Sequence, residues 1–215
     1  MGHSDDTVPV SDTGAQRIGI LHAAQGRDEE SLAIIDAALV STEPELRATG
    51  LSALSLQGRL SAKVITAALR DTDPAVRRRA AQLSFGPRLR DDPEVTAALL
   101  DVIDDADVLV AVGVLVALGE REDPSAVDPV TRVALAATEP LVVEEAVATL
   151  GALGDETSIA VIESLLVTAK PALRRRIVAA LGAFSGPKVE AMLNRLERDR
   201  DWQVRQAVAM LRRGG

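Results

Sequence analysis

The sequence contains no cysteine and no tyrosine, and its aromatic residues are two Phe and one Trp. Without cysteine it can form no disulfide, no zinc–thiolate site and no thiol nucleophile. So few aromatics argue against a β-sandwich or barrel, which draws on aromatic and β-branched residues together. Histidine occurs twice, as His3 and His22, too seldom for a multi-histidine metal centre. No run of 18 apolar residues is present, and Met1 to Val10 is acidic instead of basic and then apolar, so neither a membrane-spanning helix nor a signal peptide is expected. Asp6 stands where an N-myristoylation pattern needs Ser or Thr. These absences make a cytoplasmic protein with no membrane association the expectation.

What remains is a chain of 215 residues, 47% apolar and 26% charged, with 24 basic and 32 acidic side chains and a net charge of −8. It is too apolar for a disordered chain at this charge, and its wealth of Ala, Leu and Arg favours helix. A period runs through it. Taking Pro44, Pro74, Val108, Pro140, Pro171 and Trp202 as anchors, the separations are 30, 34, 32, 31 and 31 residues. Just before each anchor stand Glu43, Asp73, Asp107, Glu139, Lys170 and Asp201. An acid followed by proline is a helix start, because the carboxylate can accept from free N–H groups while proline sits where its missing donor costs nothing.

Two positions after the anchors come Leu46, Val76, Val110, Val142, Leu173 and Val204; six after, Gly50, Ala80, Val114, Ala146, Ile177 and Val208; nine after, Ala53, Leu83, Ala117, Thr149, Ala180 and Leu211. Steps of four and three residues place these on one face of a helix. Gly58, Gly86, Gly119, Gly154 and Gly186 read as breaks, each followed by a second apolar-periodic segment such as Val95/Leu99/Val102 or Val189/Leu193/Leu196. Two antiparallel helices repeated about every 31 residues make an α-solenoid.

Segments such as Asp73-Pro74-Ala75-Val76-Arg77-Arg78-Arg79-Ala80-Ala81, and the run from Lys170-Pro171 to Leu181-Gly182, resemble the HEAT repeat in its short bacterial form, the PBS-lyase HEAT-like repeat. That resemblance implies an all-α, right-handed solenoid of armadillo/HEAT type. Helix pairs are expected at 15–40, 43–70, 74–103, 107–137, 140–168 and 171–198, with a closing helix at 201–213. Residues 15–213 are expected to form a single repeat domain, and residues 1–14, polar and without periodicity, a mobile tail. The first pair, with Ile18, Leu21, Leu32, Ile35 and Leu39, and the closing helix, with Arg205, Arg212 and Arg213, read as caps.

Arg stands three positions after the anchor in four repeats, as Arg47, Arg77, Arg174 and Arg205, and is replaced by Ala111 and Val143 in the middle. The resemblance implies a structural role, a guanidinium fork bridging to an acid or a carbonyl of the adjoining repeat, with Asp71 or Asp73 expected as partner of Arg77 and Asp199 or Asp201 as partner of Arg205. Most of the acids in the clusters Asp91-Asp92, Asp104-Asp105-Ala106-Asp107 and Glu144-Glu145 read as caps at turns and helix starts instead of metal ligands, as does Asp128 before Pro129. Trp202, in place of proline at the last anchor, is expected to pack on Leu196 with its indole N–H at the surface.

Charge is distributed unevenly along the chain: residues 1–107 hold 11 basic and 18 acidic side chains, 108–169 hold 2 and 10, and 170–215 hold 11 and 4. A basic end can dock an acidic partner. The negative total and the three aromatics, Phe85, Phe184 and Trp202, argue against nucleic acid. Three enzymatic families share the repeat style. DNA alkylation glycosylases need aromatics and a carboxylate in a basic groove, and deoxyhypusine hydroxylases need His-Glu pairs on successive repeats. This chain offers only His3-Ser4 and His22-Ala23. For bilin lyases the sequence supplies no supporting residue.

The expected function is therefore non-catalytic: a monomeric scaffold with no cofactor and no metal, binding a protein or peptide on the concave face of the solenoid. The side chains expected to face that partner, from helical phase alone, are Lys63, Arg70, Asp101, Arg132, Glu163, Lys188, Asn194, Arg195 and Arg198. The alternative is an enzyme or enzyme subunit of bilin-lyase-like or DNA-alkylation-repair-like type.

Overall fold

Each of the six anchors is the first residue of a helix. In the computed structural model, which describes residues 12–214, these are α3 (Pro44–Leu56), α5 (Pro74–Leu83), α7 (Val108–Arg121), α9 (Pro140–Leu153), α11 (Pro171–Leu181) and α13 (Trp202–Gly214). The second helices lie between them: α4 (Ala62–Ala68), α6 (Pro93–Asp101), α8 (Val127–Ala136), α10 (Ser158–Leu166) and α12 (Pro187–Leu196), after a first pair α1 (Asp12–Ala23) and α2 (Glu29–Leu39). The described residues hold no strand, and all thirteen helices fall within the expected pairs except for the start of α1 and the end of α13. Helix α1 takes in residues 12–14 of the expected tail; residues 1–11 lie outside the described residues.

The acid before the anchor caps only when it is aspartate. Asp73 accepts from the Ala75 N–H at 2.8 Å, Asp107 from Leu109 and Val110 at 3.0 Å, and Asp201 from Gln203 at 2.9 Å. Glu43 and Glu139 make no such bond, because the extra methylene carries the carboxylate past the first-turn donors. Asp128 is also not a cap. It lies in the first turn of α8, and the N-terminal donors there are met one turn earlier, where Asp123 accepts from Ser125 N–H ahead of the 3₁₀ turn Pro124–Ala126.

The chain divides into two compact units, Met1–Leu83 and Ser84–Gly215, of which 12–83 and 84–214 are described. In the first, α3 packs against α1, α2 and α5, and α4 packs against α5. In the second, α7, α9, α11 and α13 form one row, each against the next; α8, α10 and α12 form the other. Within each unit the layers follow chain order, as a repeat stack requires.

The stripe positions explain the packing. Of the residues at offsets two, six and nine, all are buried except Leu83, Leu173 and Leu211, which are half-buried. Val147, Ile162, Ile177, Leu181, Leu193 and Val208 join helices α9 to α13 in one core, and burying each large aliphatic side chain is worth about 1.5–3 kcal/mol. The first pair departs from expectation: Ile20 and Ala23 are buried, whereas Ile18 is 54% and Leu21 44% exposed. Helix α1 packs against α2 and α3, and Ile18 and Leu21 lie outside the strip that they bury.

Gly119 is a correction as well. It lies inside α7, fully covered, and the helix instead ends at Glu122, a non-glycine residue at φ +54°. Gly154 does end α9 as expected, in the left-handed conformation that glycine adopts at least cost. Gly151 has a different reason to be glycine, since a Cβ there would stand 2.8 Å from the Ala180 Cα on α11. The close approach of α9 and α11 is set by backbone, which cannot yield as a flexible side chain would. Gly151→Ala is expected to lower the stability of the protein by about 1–3 kcal/mol, read as a fall in the urea midpoint; an unchanged midpoint would show that the two helices are free to separate.

Candidate functional site

Arg47 and Arg174 each form a two-pronged clasp with the aspartate three positions before the next anchor. Arg47 donates through Nε and Nη2 to Asp71 at 2.8 and 2.6 Å, and Arg174 does the same to Asp199 at 2.8 and 2.9 Å. Nη1 of each then reaches back to carbonyl oxygens ahead of its own helix, Ser41 and Thr42 for Arg47 and Ala169 for Arg174. The aspartate serves three purposes at once, because its Oδ1 also accepts the N–H two residues on, at Asp73 and Asp201.

Arg77 and Arg205 meet the expected Asp71 and Asp199 at their backbone carbonyls. Arg77 reaches the backbone oxygens of Asp71 and Thr72, and Arg205 those of Asp199 and Arg200, so each staples the start of its own helix. The carboxylates of Asp71 and Asp199 are already claimed by the arginine of the preceding repeat. In the middle of the second unit both halves of the clasp are missing together, Ala111 with Ala137 and Val143 with Thr168. There Thr149 Oγ1 bridges α9 to α7 by donating to the Leu115 carbonyl at 2.9 Å.

Both carboxylates are held below their ordinary pKa. For Asp71 the Arg47 fork is the leading cause. For Asp199 burial pulls upward most strongly, and the Arg174 fork, the Asp201 N–H and the charges of Arg174 and Arg200 together outweigh it.

The nine expected interaction residues are all exposed. Lys63 and Arg70, on α4 and just after it, lie in the first unit; Asp101 on α6, Arg132 on α8, Glu163 on α10, and Lys188, Asn194, Arg195 and Arg198 on and after α12 lie in the second. Two clefts gather some of them. One, of about 450 Å³, is walled by Leu39, Leu51, Val64 and Val76, with Lys63 at its edge and the Arg47–Asp71 clasp in its lining. The other, of about 440 Å³, lies at the C-terminal ends of α10 and α12 with Arg195, Arg198, Arg200 and the Arg174–Asp199 clasp in its lining. Asn194 is engaged, since its Oδ1 accepts from Arg212 Nη2 at 2.9 Å.

Two further arginines carry structure that the repeat pattern does not announce. Arg121, 4% exposed, donates to the carbonyls of Ser84, Leu89 and Asp92 and to Thr96 Oγ1 at 2.5–3.1 Å, gathering the irregular stretch 84–92 onto α6 and α7. Burial pushes its pKa below the ordinary value while Asp123, Asp92 and Asp91 act the other way. A guanidinium keeps its charge regardless. The signal was the longest anchor spacing, 34 residues, whose surplus backbone needs donors. Arg212, at a position where α11 carries the buried Leu181, instead pairs with Glu190 of α12 at 3.2 Å and with Glu197, just after α12, at 2.6 Å.

Asp91-Asp92 and the cluster Asp104 to Asp107 sit at turns and helix starts, whereas Glu144-Glu145 lies inside α9 and does not cap it. Asp92 accepts from Glu94 N–H, Asp105 from Asp107 N–H, and Glu145 pairs with Arg176 at 3.6 Å. Among the described residues no three of His, Asp and Glu group as metal ligands, and no helix is long and apolar enough to cross a membrane. His22 is exposed near the end of α1, and Trp202 is 61% exposed at the start of α13.

The family profile of HEAT repeats matches residues 61–150 and 96–170, together just over half of the chain, and the chain belongs to that family. No curated protein matches it significantly in sequence. Among solved structures it is similar in fold to the complex of CpcE and CpcF of phycocyanin lyase from Nostoc sp. PCC7120, with a TM-score of 0.60 and 18% identity over 82% of this chain and 73% of that one. It is similar to YibA of Escherichia coli at TM-score 0.60 and 12% identity, covering 97% of this chain and 76% of that one. A designed armadillo repeat protein in complex with the peptide (KR)4 aligns at TM-score 0.55 and 16% identity, over 90% of this chain and 96% of that one. The all-α HEAT/armadillo fold is thus shared with all three.

The clasps make stability depend on pH. A carboxyl held below its unfolded value of about 3.9 stabilises the fold above that pH and loses this contribution as pH falls through the folded value. The urea midpoint is expected to drop below about pH 4, and by less in Asp71→Asn/Asp199→Asn, which lacks both carboxyls. At pH 7, Arg174→Ala is expected to cost about 3–5 kcal/mol, because it leaves Asp199 without its partner, and the exposed Arg205→Ala less than about 1.5 kcal/mol. Equal losses in the two variants, or equal pH profiles with and without the carboxyls, would contradict the clasp.

Proposed function

We propose that this chain is a non-catalytic interaction scaffold, a cytoplasmic monomer that holds a protein or peptide partner along the face formed by its second helices. The observation that carries the reading is the exposure of all nine charged or polar side chains at the outward phase of α4, α6, α8, α10 and α12 and of the turns after them. None of the nine is among the buried stripe residues or in the Arg47–Asp71 and Arg174–Asp199 clasps, although Asn194 accepts from Arg212. Repeat stacks present such rows as extended binding surfaces. In the first unit these are Lys63 and Arg70; in the second, Asp101, Arg132 and Glu163 are mixed in sign before α12, and the charged ones on and after α12, Lys188, Arg195 and Arg198, are all basic.

The designed armadillo protein of the same fold is in complex with a (KR)4 peptide. That a stack of this kind can hold an extended chain supports the reading, with charge signs here suited to a partner that turns acidic towards α12. The enzyme alternative rests on likeness in fold to the phycocyanin lyase complex alone.

Affinity capture from the source organism's lysate tests the scaffold reading, with the charge-reversed Arg195→Glu/Arg198→Glu protein as control. A defined protein captured by the native chain and lost by the variant is expected. Capture of nothing, or the same proteins held equally by both, would contradict the assignment.

A further inference from the structure

We infer that the cleft between the C-terminal ends of α10 and α12 is an anion-reading notch whose occupant is a short, unmodified peptide segment carrying consecutive Asp or Glu side chains. This deepens the scaffold reading and rests on it. The argument begins with charge that the protein leaves unspent. The lining contains Arg174, Arg195, Arg198 and Arg200 against the single acid Asp199. Both oxygens of Asp199 are taken by the buried Arg174, and no hydrogen bond joins this acid to Arg195 or Arg198 among the described residues. Among the described residues Arg195 and Arg198 are exposed and make no side-chain hydrogen bond or ion pair, in contrast to Arg175, Arg176 and Arg212 nearby, which engage Gln203, Glu145 and Glu197. Two free guanidinium forks beside one cleft present paired donors at the geometry that carboxylates accept.

The other cleft supplies the contrast. It has nearly the same volume and the same kind of clasp in its lining, yet its walls are mainly aliphatic. The clasp is therefore a repeated structural device, and the anion preference belongs to the arginines added at α12. Three observations favour a carboxylate peptide over a phosphate backbone. No aromatic side chain lines the notch to stack a base. Residues 108–169, which supply α8, α9 and α10, hold 10 acids against 2 basic side chains, so a long polyanion entering the notch would be repelled beyond it. Val167, 69% exposed, gives the peptide an apolar contact beside the charges.

The test is a fluorescence anisotropy titration of the whole chain with labelled hexaglutamate peptide. Hexalysine, inorganic phosphate and single-stranded oligothymidylate are run alongside it. Binding of hexaglutamate that weakens by at least about tenfold in Arg195→Gln/Arg198→Gln is expected, together with weakening at high salt. The charge-matched control Arg59→Gln/Arg88→Gln, at two other exposed arginines, is expected to bind within about twofold of the native chain. Circular dichroism of each variant confirms that the helices persist. Absence of hexaglutamate binding, equal weakening in both double variants, or tighter binding of phosphate or oligothymidylate would overturn the notch. If lysate capture succeeds while hexaglutamate fails, the scaffold stands with a partner of other chemistry; if capture fails as well, the scaffold reading itself falls.

Discussion

No helix pair in this chain can bury its own apolar stripe, and that constraint organises the molecule. Helix α9 presents Val142, Ala146 and Thr149 outward from its own pair, and they are covered because α7 and α11 lie on either side. Stability is then a sum over joints between layers, and each joint must fit. This is why Gly151 has no room for a side chain against Ala180 of α11. At α13, Arg212 stands where α11 carries the buried Leu181 and pairs with Glu190 of α12 and with Glu197 just after it.

Joints are closed in two chemically different ways. At Arg47–Asp71 and Arg174–Asp199 a largely buried ion pair satisfies its remaining donors on backbone carbonyls, which is the condition for such a pair not to be a liability. In the middle of the second unit small and branched residues, Ala111, Val114, Ala146 and Val147, do the same by close packing. The substitution is coordinated, since an aspartate without its arginine would be a buried, uncompensated charge. Arg121 shows a third solution, a cation placed where an irregular segment leaves its carbonyls without partners.

Most of the fold was legible because its signals are local. An acid-proline step, or a residue in its register, marked the first residue of six helices, and apolar offsets of two, six and nine marked what they bury. What resisted reading was relational. Helical phase shows that Arg77 and Arg205 lie near Asp71 and Asp199, but not that the carboxylates are already taken by arginines one repeat earlier. That pairing was visible in principle, because Asp71 and Asp199 follow repeats with Arg, and Ala137 and Thr168 follow repeats without it. Gly119 was misread as a break because small residues serve both turns and tight helix contacts. Arg121 falls outside the repeat register altogether. The exposure of the nine surface residues followed from phase, whereas the clefts beside Lys63 and Arg195 depend on how helix ends splay, which no periodicity encodes.

A surface with free arginines at one end is a consequence of this economy. Packing and clasps use the inward positions, so α12 can carry charge on its outer face without cost to the core. The account stands or falls on layers that depend only on their neighbours. Hydrogen exchange of Val208→Ala, which opens a cavity in the last layer, measures this directly. Faster exchange is predicted in α11, α12 and α13 with unchanged protection in α6, α7 and α8. An equal rise in exchange from α6 to α13 would show one indivisible core and contradict it.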